Sequence, residues 1–206
     1  MSKMQINDTQ LFFKRVFDVV LSLILLPITI LPILILIILA SMDTKAFGLF
    51  WQERIGQHAK PFMIYKIRTL KVEPHILGDL DRSASWFGRF LRRSKWDELP
   101  QLINVLKGDM SLIGPRPLLI RYLPHYNDVQ KKRHDIKPGI TGWAQVNGRN
   151  NLNWEQKFAY DVYYVENMSL LLDIKIVFMT IYKIFAKKGI YDQDNGIGPE
   201  FTGSDN

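Results

Sequence analysis

A long apolar stretch near the N-terminus constrains the fold of this chain most. Across residues 19–40 the only polar side chains are Ser22 and Thr29, and about 22 helical residues reach roughly 33 Å, enough to cross the hydrocarbon core of a membrane. Pro27 and Pro32 interrupt the stretch, and a proline bends or breaks a helix because it lacks an N–H donor. A secretory signal peptide fits less well, since the run is too long and no A-x-A-like cleavage site follows it. The stretch predicts a membrane segment.

Basic residues flank this segment on both sides. Lys14 and Arg15 precede it, and Lys45 and Arg54 follow it. Positive flanks prefer the cytoplasmic side of a membrane, so matched flanks favour a re-entrant helix-hairpin whose two ends lie on the same face. On the residues alone a kinked span stays open, because transmembrane helices tolerate proline.

Composition narrows the classes of partner. The chain has 206 residues, a formal net charge of +7 and a pI near 9.5, which points to anionic partners such as phosphates, nucleic acid or acidic lipid headgroups. It has no cysteine, so disulfides and thiolate metal sites are excluded.

Hydrophobic periodicity predicts an α+β fold that is mostly helical, with interfacial and catalytic helices. The stretches "FGLFWQERIG" and "KPFMIYKIRTL" are rich in aromatic and β-branched residues and predict a short β-hairpin around the turn "GQHAKP". Helices are predicted over 85–109, with breaks at Gly88 and near Pro100, and over 118–134, 153–167 and 169–187. The glycine-containing "KPGITGWAQVNGRN" is predicted to be a loop.

An acidic pair lies among cations in "RRSKWDELPQ". Asp97 and Glu98 closely follow Arg92 and Lys95, and nearby cations keep a carboxylate ionised and available as a nucleophile or metal ligand. Adjacent helical residues point about 100° apart, so one carboxylate can face a site while the other supports it. The alternative is structural, because acidic residues are common at helix starts.

Further polar residues could bind a phosphorylated substrate. Arg116 in "GPRP" is aimed by two prolines and its planar fork suits phosphate; Lys66 and Arg68 share one face of a strand; Gln145 lies in a flexible turn. Each also has a structural interpretation, as a turn or a solvated face. Together with the acidic pair they suit Mg²⁺, which usually binds one or two carboxylates plus substrate phosphates. The combination predicts phosphoryl transfer at a membrane surface.

Several segments together resemble one protein family. "KRVFD", "QERIG", "IYKIRTL", "DELPQLINVLKGDMSLIGPRP", "PGITGWAQVNGR" and "DVYYVEN" occur in the order seen in the monotopic phosphoglycosyl transferases, the bacterial sugar transferase family. The resemblance covers roughly residues 14–188. The short chain is similar to the minimal enzymes that begin bacterial N-linked glycan assembly.

The resemblance implies an activity and a set of residues. Such enzymes move a sugar-1-phosphate from a UDP-sugar to a polyprenol phosphate such as undecaprenyl phosphate, release UMP, and form an aspartyl-phosphosugar intermediate. By the matching motifs, Asp97 is the expected nucleophile, Glu98 helps to hold Mg²⁺ together with Asp97 and assists the second step, and the expected substrate-binding residues are Lys66, Arg92, Arg116 and Asp161. Gln145 joins them from its place near the flexible turn. The family typically has serine before the proline of the membrane break, whereas Leu31 precedes Pro32 here.

The resemblance also implies an organisation and a location. Residues 1–45 are expected to form the re-entrant membrane helix and its flank, and residues 46–188 a cytoplasmic catalytic domain. Residues 189–206 are expected to form a flexible tail because this stretch is acidic and contains glycine. The expected location is the bacterial inner membrane, in contact with its lipid and with downstream glycosyltransferases, and without nucleic acid. A binding module for anionic ligands and an inactive scaffold remain alternatives, and no residue predicts which sugar is transferred.

Overall fold

The computed structural model describes residues 8–71, 83–148, 152–186 and 201–203. Seven α-helices and four short strands occur in this part of the chain. The helices are α1 Asp8–Thr44, α2 Trp86–Ser94, α3 Gln101–Lys107, α4 Asp128–Lys131, α5 Trp143–Asn147, α6 Trp154–Asn167 and α7 Leu170–Ala186. The strands are β1 Leu49–Ile55, β2 Pro61–Ile67, β3 Ser111–Ile113 and β4 Gly139–Thr141. The mostly helical α+β class predicted from the sequence is confirmed.

The predicted β-hairpin is present. Strands β1 and β2 pair antiparallel, with Leu49 opposite Ile67 and Phe50 opposite Lys66, and a 3₁₀ turn over Gln57–Ala59 joins them. The pairing places Lys66 near the end of β2, close to where the chain continues toward α2.

A second pair of strands was not predicted. Strands β3 and β4 pair parallel, and β4 and α5 lie within the stretch that the sequence predicted to be a loop, so that prediction was wrong. The strands can approach closely because Gly139 has no side chain; a Cβ there would lie only 2.0 Å from the main-chain nitrogen of Gly114. The glycines of this stretch therefore serve close packing as well as turns.

Two other helix predictions need correction. Gly88 does not interrupt α2; a Cβ there would lie 2.3 Å from the carbonyl oxygen of Thr69, so the glycine allows the chain to pack against the helix. The break comes instead at Lys95, whose φ is 65°, and α3 begins after Pro100, as predicted. The predicted helix over 118–134 is a 3₁₀ segment, a one-turn helix and a second 3₁₀ turn, because Pro124 cannot donate a helical hydrogen bond.

Helix α1 is long and apolar enough to cross a membrane. It is continuous through Pro27 and Pro32, and the hydroxyl of Thr29 donates to the carbonyls of Leu25 and Leu26 at 2.9 and 3.3 Å. Only 17% of its most apolar 18-residue window is buried, unlike the core helix of a soluble protein. Whether the helix re-enters the membrane stays a prediction.

The N-terminal half of α1 is docked by the charged residues of "KRVFD". Lys14 pairs with Asp173 of α7 at 2.7 Å, and Arg15 donates to two main-chain carbonyls at the end of α3. The carboxylate of Asp18 accepts from the main-chain N–H of Leu112 at 2.9 Å. The motif therefore joins α1 to three elements of the domain that follows.

The C-terminal half of α1 contacts the same domain. Ile33, Leu36 and Ala40 are buried in one cluster with Ile67 of β2 and Leu91 of α2. Both ends of the apolar helix are thus held against one body.

Helix α7 has two different faces. Ile176 is fully buried in the main core, whereas Leu171, Phe178 and Tyr182 are exposed. Asp173, unexpected in so apolar a helix, is buried and bound by Lys14 and by the hydroxyl of Tyr164.

The predicted flexible tail, residues 189–206, lies outside the described residues except for 201–203. Within these three residues Phe201 is buried, and it packs in a cluster with Ile55, Tyr122, Tyr126 and Phe158.

Candidate active site

The acidic pair lies in a short turn between α2 and α3. Helix α2 ends at Lys95 in the left-handed conformation, and Trp96–Glu98 form one 3₁₀ turn before α3. Both Asp97 and Glu98 are buried. The predicted catalytic pair is therefore withdrawn from bulk water into the protein interior. Electrostatic interactions are stronger there than in water because the dielectric constant is lower.

Glu98 is held by two cations. Its Oε1 accepts a hydrogen bond from Lys66 at 3.1 Å and another from Arg116 at 2.6 Å. Burial alone would raise the pKa of this carboxyl, but the charges of Arg116, Lys66 and Lys95 hold the pKa well below its ordinary value. Glu98 is therefore ionised at neutral pH, and the structure brings together three of the residues predicted from separate segments.

Asp97 has a different environment from its neighbour. Burial raises its pKa and the charge of Glu98 raises it further, against the opposing charges of Lys66 and Lys95. Its Oδ1 is buried and, within the described part of the chain, accepts no hydrogen bond. A buried acceptor of this kind is ready to contact a cation or an electrophile.

The side chain of Asn104 explains how Lys66 reaches Glu98. This fully buried residue of α3 accepts from the main-chain N–H of Tyr65 at 3.1 Å and donates to the carbonyl of Met63 at 2.7 Å. Its amide therefore ties α3 to β2 at Met63 and at Tyr65. Lys66 is the next residue of the strand. Sequence reasoning missed Asn104, since an asparagine inside a helix gives no signal of a distant partner.

Arg116 is positioned by its backbone. The N–H of Gly114 donates to Thr141, and the N–H of Gly139 donates to the carbonyl of Pro115. Arg133 completes the arrangement, because its Nη2 donates to the carbonyl of Arg116 at 2.7 Å. The sequence analysis did not select Arg133, which looks like one more cation in the charged run "KKRHD".

Asp161 is paired with Arg133 in the interior. The Nε and Nη2 atoms of Arg133 donate to Oδ2 of Asp161 at 3.1 and 2.7 Å, and both side chains are almost fully buried. Burial raises the pKa of Asp161, and Arg133 opposes the rise. The contact that the structure gives this predicted substrate-binding residue is an internal ion pair.

A cavity of about 740 Å³ adjoins the acidic pair. The predicted residues Arg92, Glu98, Arg116, Gln145 and Asp161 all line it. Asp97 and Lys66 are not among its lining residues and adjoin it through Glu98. The amide oxygen of Gln145 is buried and accepts no hydrogen bond from the described residues.

The cavity is lined by charged and by apolar side chains. Glu98 and Arg116, which are bonded to each other, form what we call its charged end. A second set of lining residues, the apolar wall, comes from α1, α3, α7 and the β3–β4 region and includes Leu21, Leu25, Leu102, Ile140, Val177, Ile181 and Ile184. One chamber therefore offers both cations and hydrocarbon to a ligand.

A further cation, Arg54 of β1, lies close to this charged end. Burial and the charge of Arg116 lower the pKa of Arg54 to about 10. Its Nη2 donates to Gln52 at 2.6 Å, and its Nε is buried without a partner among the described residues. Arg54 belongs to the motif "QERIG", which by itself gives no signal that this arginine lies near the acidic pair.

The carboxylates present fit a magnesium ion that is shared with a substrate. In the described ranges no group of three or more histidine, aspartate or glutamate side chains could hold a metal ion on its own. Mg²⁺ commonly needs only one or two carboxylates when phosphates supply other ligands. The unpartnered Oδ1 of Asp97 is an oxygen of the type that such an ion binds.

A family model and individual relatives both identify the same family for this chain. The model of the bacterial sugar transferase family matches residues 9–187. The chain is 46% identical over 197 residues to the uncharacterized sugar transferase EpsL of Bacillus subtilis (strain 168), covering 94% of this chain and 98% of that protein.

Two further relatives carry more specific names. The UDP-glucose:undecaprenyl-phosphate glucose-1-phosphate transferase of Escherichia coli (strain K12) is 38% identical over 86% of this chain and 41% of its own length. The UDP-N-acetylgalactosamine-undecaprenyl-phosphate N-acetylgalactosaminephosphotransferase of Aeromonas hydrophila is 36% identical over 86% and 45%. The chain thus spans less than half of these two longer proteins. The family match includes every predicted site residue, and the chain therefore belongs to the bacterial sugar transferase family as a phosphoglycosyl transferase.

Proposed function

We propose that the protein transfers a sugar-1-phosphate from a UDP-sugar to undecaprenyl phosphate and releases UMP, as the first membrane step of a bacterial glycoconjugate pathway. The names of the longer relatives support this donor and this acceptor. The observation that carries the proposal is Glu98, which bonds both Lys66 and Arg116 and lines a cavity that is also lined by many apolar side chains.

Asp97 is the proposed nucleophile. A carboxylate oxygen attacks the phosphorus next to the sugar, an Asp97 O–P bond forms, and the bond to the bridging oxygen breaks as UMP leaves with the electron pair. A phosphate oxygen of the lipid then attacks the same phosphorus and releases Asp97. Covalent catalysis of this kind divides one difficult displacement into two easier steps.

The surrounding charges support both steps. Arg116 and Lys66 supply positive charge beside the phosphoryl group, where such charge stabilises the transition state. Mg²⁺, when bound by Asp97 and Glu98 and the substrate, would offset phosphate charge. Added positive charge at the site would also favour the ionised form of Asp97, whose pKa burial raises.

The apolar wall suits a lipid acceptor. Leu21 and Leu25 of α1 and Ile181 of α7 line the cavity that ends at Glu98 and Arg116. A long isoprenoid chain with a terminal phosphate has the same division into apolar and charged parts. The cavity can therefore receive the lipid phosphate at the charged end after UMP has left.

Several exposed apolar residues support placement of the domain at a membrane surface. Trp86, Phe90 and Trp96 are exposed, the ring of Phe90 lies beside each of the two indoles, and Trp96 directly precedes Asp97. Aromatic side chains of this kind suit the membrane interface. With both halves of α1 docked on one domain, we place the catalytic domain on the cytoplasmic face of the inner membrane and α1 as a re-entrant helix.

The test is UMP release by the purified protein in nanodiscs with undecaprenyl phosphate, Mg²⁺ and a panel of UDP-sugars. We expect release with one donor, loss of release in Asp97→Asn, and full release in Asp128→Asn, which makes the same chemical change at a fully exposed position. Incubation with the active donor alone should add the mass of one phosphosugar to the wild-type protein and nothing to Asp97→Asn. Turnover by Asp97→Asn at the wild-type rate would contradict the proposed nucleophile.

A further inference from the structure

Phe201 lies far along the chain from the acidic pair, yet it is part of the same folded body. Its side chain is 4% exposed. Five rings surround it, with centroid distances of 4.9 Å to Phe158, 5.6 Å to Trp154, 5.7 Å to Tyr126, 6.1 Å to Tyr122 and 6.2 Å to His125. Aromatic pairs at these separations stabilise one another beyond the area they bury. A phenylalanine in contact with five rings fixes their mutual positions.

Two of these rings form part of the cavity wall. Trp154 and Phe158 of α6 line the cavity, and they stack on each other with an interplanar angle of 26°. Asp161, one turn further along α6, lines it too. Phe201 therefore packs against the side of α6 that carries the wall.

The same cluster supports the arginine that positions Arg116. The guanidinium of Arg133 lies 5.9 Å from the ring centre of Tyr126 and 5.7 Å from that of Phe158. Arg133 in turn donates to the carbonyl of Arg116, and Arg116 holds Glu98. A continuous line of contacts thus leads from Phe201 to the charged end of the cavity.

We propose that Phe201 is a positioning residue for Arg133 and, through it, for the phosphate-binding Arg116. The inference rests on the proposed function for the identity of the ligand. Removal of Phe201 leaves a space beneath Tyr126 and Phe158, so the rings that hold Arg133 can shift. A displacement of about 1 Å in such a supporting group can reduce catalytic efficiency by up to roughly a hundredfold.

The test compares three chains with the wild type. Phe201→Ala removes the ring, Phe201→Leu keeps most of the apolar volume, and a chain ending at Gly203 lacks only residues 204–206. We expect Phe201→Ala to raise the KM for the UDP-sugar about tenfold or more, in the range expected for displacement of a supporting group. Phe201→Leu should recover much of this loss, and the chain ending at Gly203 should match the wild type.

A second readout separates positioning from folding and from the proposed reaction. The affinity for inorganic pyrophosphate, measured by calorimetry on protein that is folded by circular dichroism, reports on Arg116 without turnover. We expect this affinity to fall in Phe201→Ala. Wild-type protein that binds pyrophosphate more tightly than Phe201→Ala, but turns over no UDP-sugar, would remove the proposed function and leave this inference standing.

Two results would overturn the inference. One is wild-type KM and pyrophosphate affinity in folded Phe201→Ala. The other is a loss of thermal stability in that variant with unchanged kinetics of the folded fraction, which would make Phe201 a residue of the core alone.

Discussion

Arg133 bonds the carbonyl of Arg116 and the carboxylate of Asp161 with the same nitrogen, Nη2, at 2.7 Å in both cases. One buried side chain thus joins α6 to the loop that carries Arg116. Asp161, predicted from its motif to bind substrate, is linked to the acidic pair through this arginine.

Asp161→Asn should therefore destabilise the fold as well as reduce activity. Breaking a buried ion pair leaves an unpaired charge, here that of Arg133, and typically costs about 3–5 kcal/mol. We expect the free energy of unfolding to fall by about that amount and kcat/KM to fall with it. Urea unfolding in detergent measures the first and UMP release the second. An unchanged stability with a raised donor KM would instead support direct contact of Asp161 with substrate.

The pH dependence of the reaction should follow Asp97. Its pKa is raised above the ordinary value of 3.8, whereas that of Glu98 is lowered. As pH falls, Asp97 therefore takes up a proton while Glu98 is still ionised, and single-turnover UMP release should decline at a pH above 3.8. Glu98→Gln removes the negative charge that raises the pKa of Asp97, and it leaves the charges of Lys66 and Arg116 without their partner. Both changes lower the pKa of Asp97, so the acid limb of the residual activity should move to lower pH. A limb that moved upward would contradict this electrostatic account.

His134 should make stability depend on pH. Burial and the charge of Arg133 lower its pKa from 6.5 to about 3. Between these values the unfolded chain binds a proton that the folded protein does not. The free energy of unfolding should then decrease as pH falls below 6.5, with a slope of up to about 1.4 kcal/mol per pH unit from this residue.

Matched asparagine variants isolate this contribution. His134→Asn should flatten the pH dependence of unfolding between pH 6.5 and 4. His58→Asn changes an exposed histidine with φ of 54°, a conformation that asparagine accepts, and should keep the wild-type slope. Equal slopes in the two variants would refute the assignment to His134.

Arg54 should contribute to binding of the donor diphosphate. Its charge lies near Arg116 and Glu98, and its buried Nε has no partner among the described residues. A charge-assisted hydrogen bond contributes about 1.5–3 kcal/mol, so Arg54→Gln should raise the donor KM about tenfold or more. Lys131→Gln removes a surface cation instead and should leave the KM unchanged. A donor KM that rose equally in both variants would indicate a general effect of net charge.

The course of α1 can be tested by cysteine labelling, since the chain has no cysteine of its own. Single cysteines at Lys3, Lys45 and Lys131 should all react with a membrane-impermeant reagent only after the cytoplasmic face is opened. Lys131 reports the side of the catalytic domain. Labelling of the cysteine at position 3 from the opposite face would show that α1 crosses the membrane.

The elements that were predicted correctly depend on local patterns. The β-hairpin follows from two runs of aromatic and β-branched residues around a turn, and α6 follows from its periodicity and from the capping box that Asn153 forms with Gln156. The meeting of Lys66, Glu98 and Arg116 was expected from motifs taken together, and no single motif gives the distances.

The elements that were missed depend on distant partners. Asn104 reaches β2 across 39 and 41 residues, and the parallel pairing of β3 with β4 joins two three-residue strands too short to show a period. A glycine inside a helical pattern suggests a break, and the sequence does not show that Gly88 instead makes room for Thr69, which is remote in sequence. Such features become visible only when the chain is folded, since one-dimensional patterns carry no record of which segments meet.

The ion pair between Lys14 and Asp173 has a consequence for how the protein is made. Its partners are 159 residues apart, so α1 leaves the ribosome long before the carboxylate that neutralises its lysine. Burying a lysine without its partner costs several kcal/mol, and the N-terminal half of α1 must therefore keep Lys14 hydrated until α7 has been synthesised. The C-terminal half of α1 can pack on β2 and α2 as soon as these are made, whereas the N-terminal half can settle onto the catalytic domain only once α7 has followed, so the two halves of one helix dock at different times during synthesis.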